Sequence, residues 1–490
     1  MDRFAFEHHL TSPQGKRHVP ADGFTVTSGG GACCDKITFS VQIDGATVTD
    51  AGFDAHGCGS AHAAGSAAVT LVRGAPILDA ARIGTTEIAD ELGGLSPGKL
   101  HAAELAADAL ARALGRAVKE RGAVPAPTGA PARTLVAMSG GVDSAVAAQL
   151  CAAAGPTAAV TLELWADREN DAERSCCSAT AVAQARALAH AMKLAHFTID
   201  LRDEFRAGVV QPFIDGYVAG ETPNPCVGCN GHVRLDGMLE LADRLGCATL
   251  ATGHYARTAE PGDPGGPLLR AAVDPAKDQT YMLAALDPAS LERLRFPLGE
   301  LRKPEVRALA AQAGLPVASK ADSQDLCFLA GTDRARFLAR HGGIQDQPGQ
   351  IVTTDGTVLG EHLGQHRFTV GQRRGLGAIQ SQTPEPLYVL DKDAATGRVT
   401  VGRRRELATT RVDVRSARLH RPGARVDSVK LRYRSAPLRA TVAGEPGAGR
   451  YRELSLQLAE PVDGAAPGQL ACLMDGDLVV GWGTITRPRG

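Results

Sequence analysis

The chain has 490 residues, enough for three or four domains with separate hydrophobic cores. It is 44% hydrophobic and 22% charged, which is ordinary for a water-soluble protein. No apolar run approaches the length that spans a membrane, and the first residues, Met-Asp-Arg-Phe, lack the apolar stretch of a signal peptide. We therefore expect a cytoplasmic protein with no membrane partner.

The net charge of −1 conceals an uneven distribution. Residues 361–490 carry 21 Lys and Arg against 13 Asp and Glu, whereas residues 1–125 carry 11 against 14. A basic C-terminal third favours a polyanionic partner, although a solvated arginine-rich surface explains the charge equally well. Eleven cysteines without a secretion signal favour thiol, metal or persulfide chemistry over a disulfide framework.

Residues 1–121 predict a small α+β domain. Alternating polarity predicts strands at 25–28 and 36–43, and helical periodicity predicts helices at 60–73 and 100–119. Thiols, an imidazole and a carboxylate fall on strand ends and a helix start, in the segments 31–35, 53–60 and 99–101. That set of side chains suits zinc or an iron–sulfur cluster.

This segment resembles the iron–sulfur cluster scaffold proteins (IscU/NifU-like) over nearly its whole length. The resemblance implies ligand roles for Cys33, Asp35, Cys58 and His101. Ala102 stands where the family usually has a third cysteine, and Cys34 stands where it usually has glycine. Two expectations stay open: a domain that binds iron–sulfur or zinc, with Cys34 as a replacement ligand, and a relic fold that only mediates contacts.

Residues 122–133 are rich in proline, alanine and glycine and predict a linker that tethers the flanking domains without fixing them. Beyond it, a short strand and an alanine-rich helix enclose the turn Ala137-Met-Ser-Gly-Gly-Val-Asp-Ser144. Its glycines let the backbone approach a ligand closely. The free N–H groups and the helix N-terminus form an anion site, where Asp143 can hold magnesium.

The turn resembles the SGGxDS loop of the ATP pyrophosphatase families, which hold pyrophosphate while AMP is transferred. The resemblance implies that ATP binds at Ala137, Met138, Ser139, Gly140, Gly141, Val142, Asp143 and Ser144. Strands alternate with helices over 134–336, which predicts a doubly wound parallel sheet with ligands at the carboxyl ends of its strands. Leu162 and Gly253 fall at two such ends, so we expect both near the adenosine.

Helical patterning fades beyond residue 340, and short alternating segments separated by turn residues take over. We expect a small connecting domain at 337–408 and a β-barrel at 409–490. The chain as a whole is therefore predicted to be a multidomain α/β protein.

Thiols dominate the remaining motifs. Thr222-Pro-Asn-Pro-Cys-Val-Gly-Cys-Asn230 holds Cys226 and Cys229 after a proline-stiffened loop, and Cys327 is a third thiol further on. Alone, a C-x-x-C pair could be a redox pair, half a zinc site or two cluster ligands. Three other cysteines lie in apolar surroundings and are predicted core residues: Cys151, Cys247 and Cys472.

Together these motifs resemble the tRNA-specific 2-thiouridylases (MnmA family), from about residue 134 to the C-terminus. The matching segments are 139–144, 175–178, 223–230, 251–257, 277–281, 323–328, 368–376 and 386–389. The resemblance implies that ATP adenylates the C2 oxygen of the wobble uridine and that sulfur then replaces it. Cys229 would be the nucleophile and Cys327 its persulfide-forming partner. The implied tRNA contacts are Asn224, Pro225, Cys226, His254, Lys277, Asp278, Gln279, Arg432, Tyr433 and Gln469.

Cys226 replaces an aspartate that many members of the family carry. With it, Cys226, Cys229 and Cys327 become available to one site, which suits a 4Fe–4S cluster with one open iron. We prefer this route to a persulfide on Cys327, because the fused scaffold domain favours it too. The expected sulfur donor is a cysteine desulfurase or a sulfur carrier, and we expect a monomer.

Two other functions stay open. One is an iron–sulfur delivery or sensing protein whose synthetase-like module binds tRNA without thiolating it. The other is an amidating or argininosuccinate-forming ligase, which shares the glycine loop but needs neither the distant cysteines nor a basic barrel.

Overall fold

The computed structural model describes residues 3–29, 34–128, 131–167, 178–260, 262, 264–322, 326–376 and 385–487. The predictions on Cys33, and on parts of two matching segments (175–177 and 323–325), concern residues outside this set. Within it, no helix combines the length and apolar character needed to cross a membrane.

The N-terminal domain packs helices on a three-stranded antiparallel sheet. Its elements are α1 (Arg3–Thr11), β1 (Phe24–Gly29), β2 (Lys36–Asp44), β3 (Thr47–His56), α2 (Gly59–Val72), α3 (Ile77–Ala80), α4 (Thr85–Glu91) and α5 (Leu100–Arg121). Alanines fill the buried faces of α2 and α5. Small side chains let these helices approach the sheet closely, and Gly65 of α2 lies against the ring of Phe53. The predicted α+β domain is confirmed.

The second domain contains a parallel five-stranded sheet. Its strands are β4 (Arg133–Ala137), β5 (Thr157–Glu163), β6 (Ala195–Asp200), β7 (Cys247–Ala251) and, after the short strands β8 (Arg257–Ala259) and β9 (Leu268–Arg270), β10 (Leu294–Arg295). Its helices are α6 (Val142–Ala154), α7 (Ala179–Ala191), α8 (Arg202–Phe205), α9 (Gln211–Val218), α10 (Pro225–Gly228), α11 (Leu235–Arg244), α12 (Thr280–Leu283), α13 (Pro288–Arg293) and α14 (Lys303–Gln312).

The strand order is β10-β7-β4-β5-β6. All seven residues of β5 are buried, as expected for a strand covered on both faces. The chain winds to one side of β4 and then returns to the other. The carboxyl end of β4 therefore lies at the topological switch point, where open α/β sheets bind their ligands. The predicted doubly wound sheet is confirmed.

The C-terminal part consists of a small sheet and a closed barrel. The helix α15 (Arg334–Gly342) precedes the sheet of β11 (Gly349–Val352), β12 (Val358–His362), β13 (Leu387–Asp393) and β14 (Arg398–Arg403). The barrel strands are β15 (Ala408–Leu419), β16 (Ser428–Lys430), β17 (Leu438–Val442), β18 (Gly449–Asp463), β19 (Leu470–Asp475) and β20 (Leu478–Ile485). Pairing of β15 with both β18 and β20 closes the six strands, so the predicted barrel is confirmed.

Two features differ from the sequence-based picture. The strands β8 and β9 extend the barrel sheet through pairing of β9 with β20, although they precede the barrel by more than a hundred residues. The linker composition predicts domains that are not fixed, yet α5 lies directly on β6. A Cβ atom at Gly115 would overlap the carbonyl oxygen of Thr198, so only glycine allows this approach.

Candidate active site and metal-ligand cluster

The loop between β4 and α6 has the geometry of an anion-binding turn. Ser144 Oγ accepts a hydrogen bond from the Ser139 N–H at 3.1 Å and donates one to the Gly141 carbonyl at 3.1 Å, which fixes the turn. Gly140 has φ +69°, and a Cβ there would lie 2.8 Å from the Ala181 carbonyl oxygen. Glycine is thus needed both for the turn and for its contact with α7.

The loop after β7 meets this turn, as predicted. A Cβ on Gly253 would lie 2.8 Å from the Ser144 nitrogen, so the two backbones are in direct contact. A cavity of about 20 Å³, with room for one or two waters, lies beside the turn. Its lining includes Ala137, Met138, Ser139, Leu162 and Arg234. Adenosine would need these side chains to move outward, so the adenosine roles of Leu162 and Gly253 stay predictions.

Lys303 is a site residue that the sequence did not reveal. It begins α14, is only 8% exposed, and its Nζ lies 2.7 and 2.8 Å from the two carboxylate oxygens of Asp143. Tyr255 donates a further hydrogen bond to Asp143 at 2.9 Å. The pattern Lys-Pro-Glu predicts a helix start, but no local signal shows that this lysine reaches a loop 160 residues earlier in the chain.

Asp322 connects Lys303 to other cations. It pairs with Lys303 at 2.8 Å, Lys277 at 2.6 Å and Arg307 at 3.1 Å. Burial disfavours the charged form, but Lys277 and Lys303 outweigh it and lower the pKa of Asp322 to about 2. Lys320 donates to the Gly140 carbonyl at 3.0 Å. Cations therefore outnumber carboxylates around the glycine loop, which suits a polyphosphate.

The loop that carries Cys226 and Cys229 lies between the sheet domain and the barrel. Asn224 accepts a hydrogen bond from the Cys226 N–H at 3.1 Å and so caps α10. Gln469 of the barrel donates to the Thr222 carbonyl at 2.6 Å. On the other side, Asn230 donates to the Met282 carbonyl of the sheet domain at 3.2 Å, so the loop is held by both domains.

Cys229 begins a π-helical segment, Cys229–Arg234, and is 7% exposed, whereas Cys226 and Cys327 are half-buried. π-Helical turns are frequent at functional sites. The Phe328 ring, next to Cys327, packs on Phe205 and Phe213 at 5.9 and 5.2 Å between centroids. Val233, in the π-helical segment that begins at Cys229, lies beside Gly208. The segments that carry Cys229 and Cys327 therefore both pack on the helical stretch 202–218.

The predicted tRNA contacts Asp278, Gln279 and His254 have protein partners in this structure. Asp278 pairs with Lys430 of the barrel at 2.9 Å, and Gln279 accepts from the Tyr255 N–H at 3.0 Å. Burial lowers the pKa of His254 to about 3, so its ring is neutral at physiological pH. On the barrel, Arg432 donates to the carbonyls of 463 and 464, and the Tyr433 ring lies 6.4 Å from Tyr281. Their tRNA roles remain predictions.

A second cluster lies in the N-terminal domain. The ligand atoms of Asp35, Cys58 and His101 all lie within 4.8 Å of one another, and no other group of three such residues in the described part of the chain is as compact. The Cys58 thiol donates to Asp35 at 3.1 Å, which lowers the pKa of that carboxyl. Ala102 is fully buried, and Cys34 is exposed with φ +56°. The structure thus brings together three of the four predicted ligands.

The cysteines predicted to be core residues are poor nucleophiles here. Burial raises the pKa of Cys151 to about 11 and that of Cys247 and Cys472 to about 12. These thiols therefore stay protonated at neutral pH.

Four family models match the chain in succession. They are a NifU-like N terminal domain over residues 6–122, a tRNA methyl transferase HUP domain over 132–331, a tRNA methyl transferase PRC-barrel domain over 335–403, and an aminomethyltransferase beta-barrel domain over 410–485. Fold and family models thus define a class: a parallel-sheet HUP domain followed by a C-terminal β-barrel and fused to a NifU-like N-terminal domain.

Two relatives of known name identify the family within this class. A "Bifunctional protein NifU/MnmA" from Rubrobacter xylanophilus is 42% identical over 98% of this chain and 97% of its own length. A "tRNA-specific 2-thiouridylase MnmA" from Rhodospirillum centenum is 42% identical over 72% of this chain and 92% of its own. The chain belongs to the MnmA family of tRNA-specific 2-thiouridylases, in the form fused to a NifU-like domain.

Among solved structures, a "U34-tRNA thiolase NcsA from Methanococcus maripaludis with its [4Fe-4S] cluster" matches with 16% identity and a TM-score of 0.26. The match covers 44% of this chain and 65% of that one. A TM-score this low does not establish a common fold.

Proposed function

We propose that this chain catalyses ATP-dependent 2-thiolation of the wobble uridine of tRNA. The observation that carries the proposal is the position of the Cys229 loop, which is braced between the glycine-loop domain and the barrel. Relatives with 40–42% identity that are named tRNA-specific 2-thiouridylases support it. The glycine loop would bind ATP, and the basic barrel would bind tRNA.

The first step would be adenylation of the uridine C2 oxygen, because a carbonyl oxygen is a poor leaving group. Pyrophosphate leaves as the C2 oxygen attacks the α-phosphorus. The loop N–H groups and the ammonium groups of Lys303 and Lys320 would stabilise the negative charge on the departing phosphates. Magnesium fits beside Asp143, whose carboxylate becomes available when Lys303 turns from it to a phosphate.

The target base must leave the anticodon stack to reach this site. Asn224, Pro225 and Cys226 would contact the base, and Lys277, Asp278, Gln279 and His254 would contact neighbouring groups. Arg432, Tyr433 and Gln469 would contact tRNA from the barrel. Lys277 and Asp278 would exchange their present ion pairs for contacts with the nucleic acid.

The second step would place sulfur on C2, with AMP carrying away the oxygen. In the persulfide route, a desulfurase or sulfur carrier loads Cys327, whose terminal sulfur attacks C2. The Cys229 thiolate then attacks the Cys327 sulfur, breaks the S–S bond and leaves 2-thiouridine with a Cys229–Cys327 disulfide. A thiol reductant must reduce that disulfide before the next turnover.

In the cluster route, Cys226, Cys229 and Cys327 would hold a 4Fe–4S cluster. Thiolates are the ordinary ligands of that cofactor, which when bound would supply a metal site for the transferred sulfide. In the N-terminal domain, the compact set of Asp35, Cys58 and His101 would hold iron–sulfur or zinc as cargo.

The adenylation step is tested by tRNA-dependent release of pyrophosphate and AMP from ATP. We expect equal amounts of the two products with wild type, and background release with Asp143→Ala. Binding of tRNA without tRNA-dependent release of either product would favour the alternative function of an iron–sulfur protein that only binds tRNA.

The two sulfur routes are separated by Cys226→Asp, which restores the residue common in the family. Under the cluster route, this variant loses iron and the thiolation that depends on it after anaerobic reconstitution. Full thiolation by Cys226→Asp with a persulfide donor and no iron would exclude the cluster route.

A further inference from the structure

The contact between the N-terminal domain and the parallel sheet contains charged side chains that no step above uses. Asp108 and Arg112 lie one turn apart on α5. Asp108 accepts from Arg186 of α7 at 2.7 Å and from Arg112 at 2.9 Å, and Arg112 donates to Glu163 of β5 at 2.6 Å. These three ion pairs form one connected chain across the domain boundary.

The two partners in the sheet domain are buried. Glu163 is 8% exposed and Arg186 is 7% exposed. Burial raises the pKa of Glu163, and Arg112 opposes that rise. Burial also disfavours the charged form of Asp108, but Arg186 and Arg112 outweigh it and lower its pKa. Removing one member of such a set leaves an uncompensated charge in a poorly solvated position.

Glu163 adjoins residues that line the cavity, and Arg186 lies on the helix that contacts the glycine loop. Glu163 lies between Leu162 and Leu164, which line the cavity beside the glycine loop. Side chains alternate along a strand, so Glu163 points to the opposite face of the strand from Leu162 and Leu164. Arg186 belongs to α7, whose first turn contacts Gly140 and whose Gln184 accepts from Lys320. Movement at the domain contact would therefore displace β5, which lines the cavity, and α7, which contacts the glycine loop.

We propose that the N-terminal domain supports the ATP pocket, with Asp108 and Arg112 as positioning residues that hold β5 and α7 in place. The inference rests on the proposed binding of ATP at the glycine loop. This inference gives the fused domain a role besides supplying cluster or sulfur: the domain stabilises the positions of β5 and α7 in the catalytic domain.

The test measures binding of α,β-methylene-ATP with Mg²⁺ to the full chain by calorimetry. Arg112→Ala raises the dissociation constant roughly five- to tenfold, and Arg112→Lys recovers part of the loss. In turnover, the KM for ATP rises while kcat at saturating ATP stays within about twofold. The matched control is Arg116→Ala, on the same helix but 58% exposed and paired with Glu120 of its own domain. It leaves both quantities unchanged.

Asp108→Asn removes the charge but keeps the shape of the side chain. It provides a second test if Arg112→Ala does not fold. It weakens analogue binding in the same direction. Unchanged analogue binding in folded Arg112→Ala or folded Asp108→Asn overturns this inference. A wild-type chain that does not bind the analogue at all overturns the proposed function instead.

Discussion

At the scale of single residues, Lys303 and His420 are two buried ionisable side chains that differ in their partners. Lys303 is compensated by two carboxylates at 2.7–2.8 Å. His420 is buried at the edge of the barrel, and neither of its ring nitrogens has a hydrogen-bond partner in the described residues. Two carboxylates hold the Lys303 side chain beside the glycine loop, whereas burial lowers the pKa of His420 and keeps its ring neutral. A separate prediction follows for each of these two residues.

Replacing Lys303 should affect both stability and ATP use. Lys303→Met leaves Asp143 and Asp322 without their shared cation, so we expect a loss of about 1–3 kcal/mol in the free energy of unfolding. Adenylation should fall about 10²-fold or more, because a cation beside the phosphates is lost. Denaturant unfolding and pyrophosphate release measure the two effects. Lys303→Arg should retain more of both, and activity equal to wild type in Lys303→Met would contradict the assignment.

His420 should make the chain sensitive to acid. Burial lowers the pKa of His420 to about 4, below the ordinary value of about 6.5. The unfolded chain therefore binds the proton more readily, and stability is lost as pH falls from about 6.5 towards 4. At pH 5 the loss from this group is about 2 kcal/mol. His420→Leu should lose less stability than wild type between pH 7 and pH 5, while His56→Asn, at an exposed site, should behave like wild type.

At the scale of elements, α5 joins two domains through close backbone contact. Gly115 is a point of close approach, and a methyl group there would overlap the Thr198 carbonyl. Alanine ordinarily stabilises a helix relative to glycine by about 1 kcal/mol. The contact with β6 should reverse that preference.

Gly115→Ala is therefore expected to lower the free energy of unfolding by about 1–3 kcal/mol, because the helix must move away from the sheet. Gly98→Ala is the matched control, since a methyl group there meets nothing within 4 Å. Thermal or denaturant unfolding of the two variants tests the packing. Equal stability of both variants would show that α5 does not lie on β6 as described.

Helices, strands and turns that are determined by neighbouring residues could be predicted from the sequence. Those that form only through contacts with residues far away in the chain could not. The turn 137–144 was predictable because strand, glycines and helix follow one another directly. β8 and β9 have three residues each and exist only because β20 pairs with β9. Lys303 escaped prediction for the same reason: its partner Asp143 lies on another helix. The set Asp35, Cys58 and His101 was expected from the resemblance to the scaffold family, and each residue lies within one position of the first residue of β2, α2 or α5.

At the scale of the whole molecule, the barrel and the N-terminal domain both brace the catalytic domain. Lys430 pairs with Asp278, and Arg415 forms two hydrogen bonds with Glu221 at 2.5 and 2.9 Å. These contacts hold the Thr222–Asn230 loop where tRNA bound to the barrel could present its base. The basic composition of residues 361–490 was equally compatible with a polyanionic partner and with a solvated arginine-rich surface, and composition alone could not show which loop the barrel would support.

The central claim is that this chain puts sulfur on C2 of the wobble uridine through Cys229. The most direct measurement is mass spectrometry of tRNA nucleosides from a host that lacks its own 2-thiouridylase and expresses the full chain. We predict 2-thiouridine derivatives with wild type and with Cys151→Ala, a cysteine outside the site, and none with Cys229→Ala. Absence of 2-thiouridine with the folded wild type, or an unchanged level with Cys229→Ala, would contradict the claim.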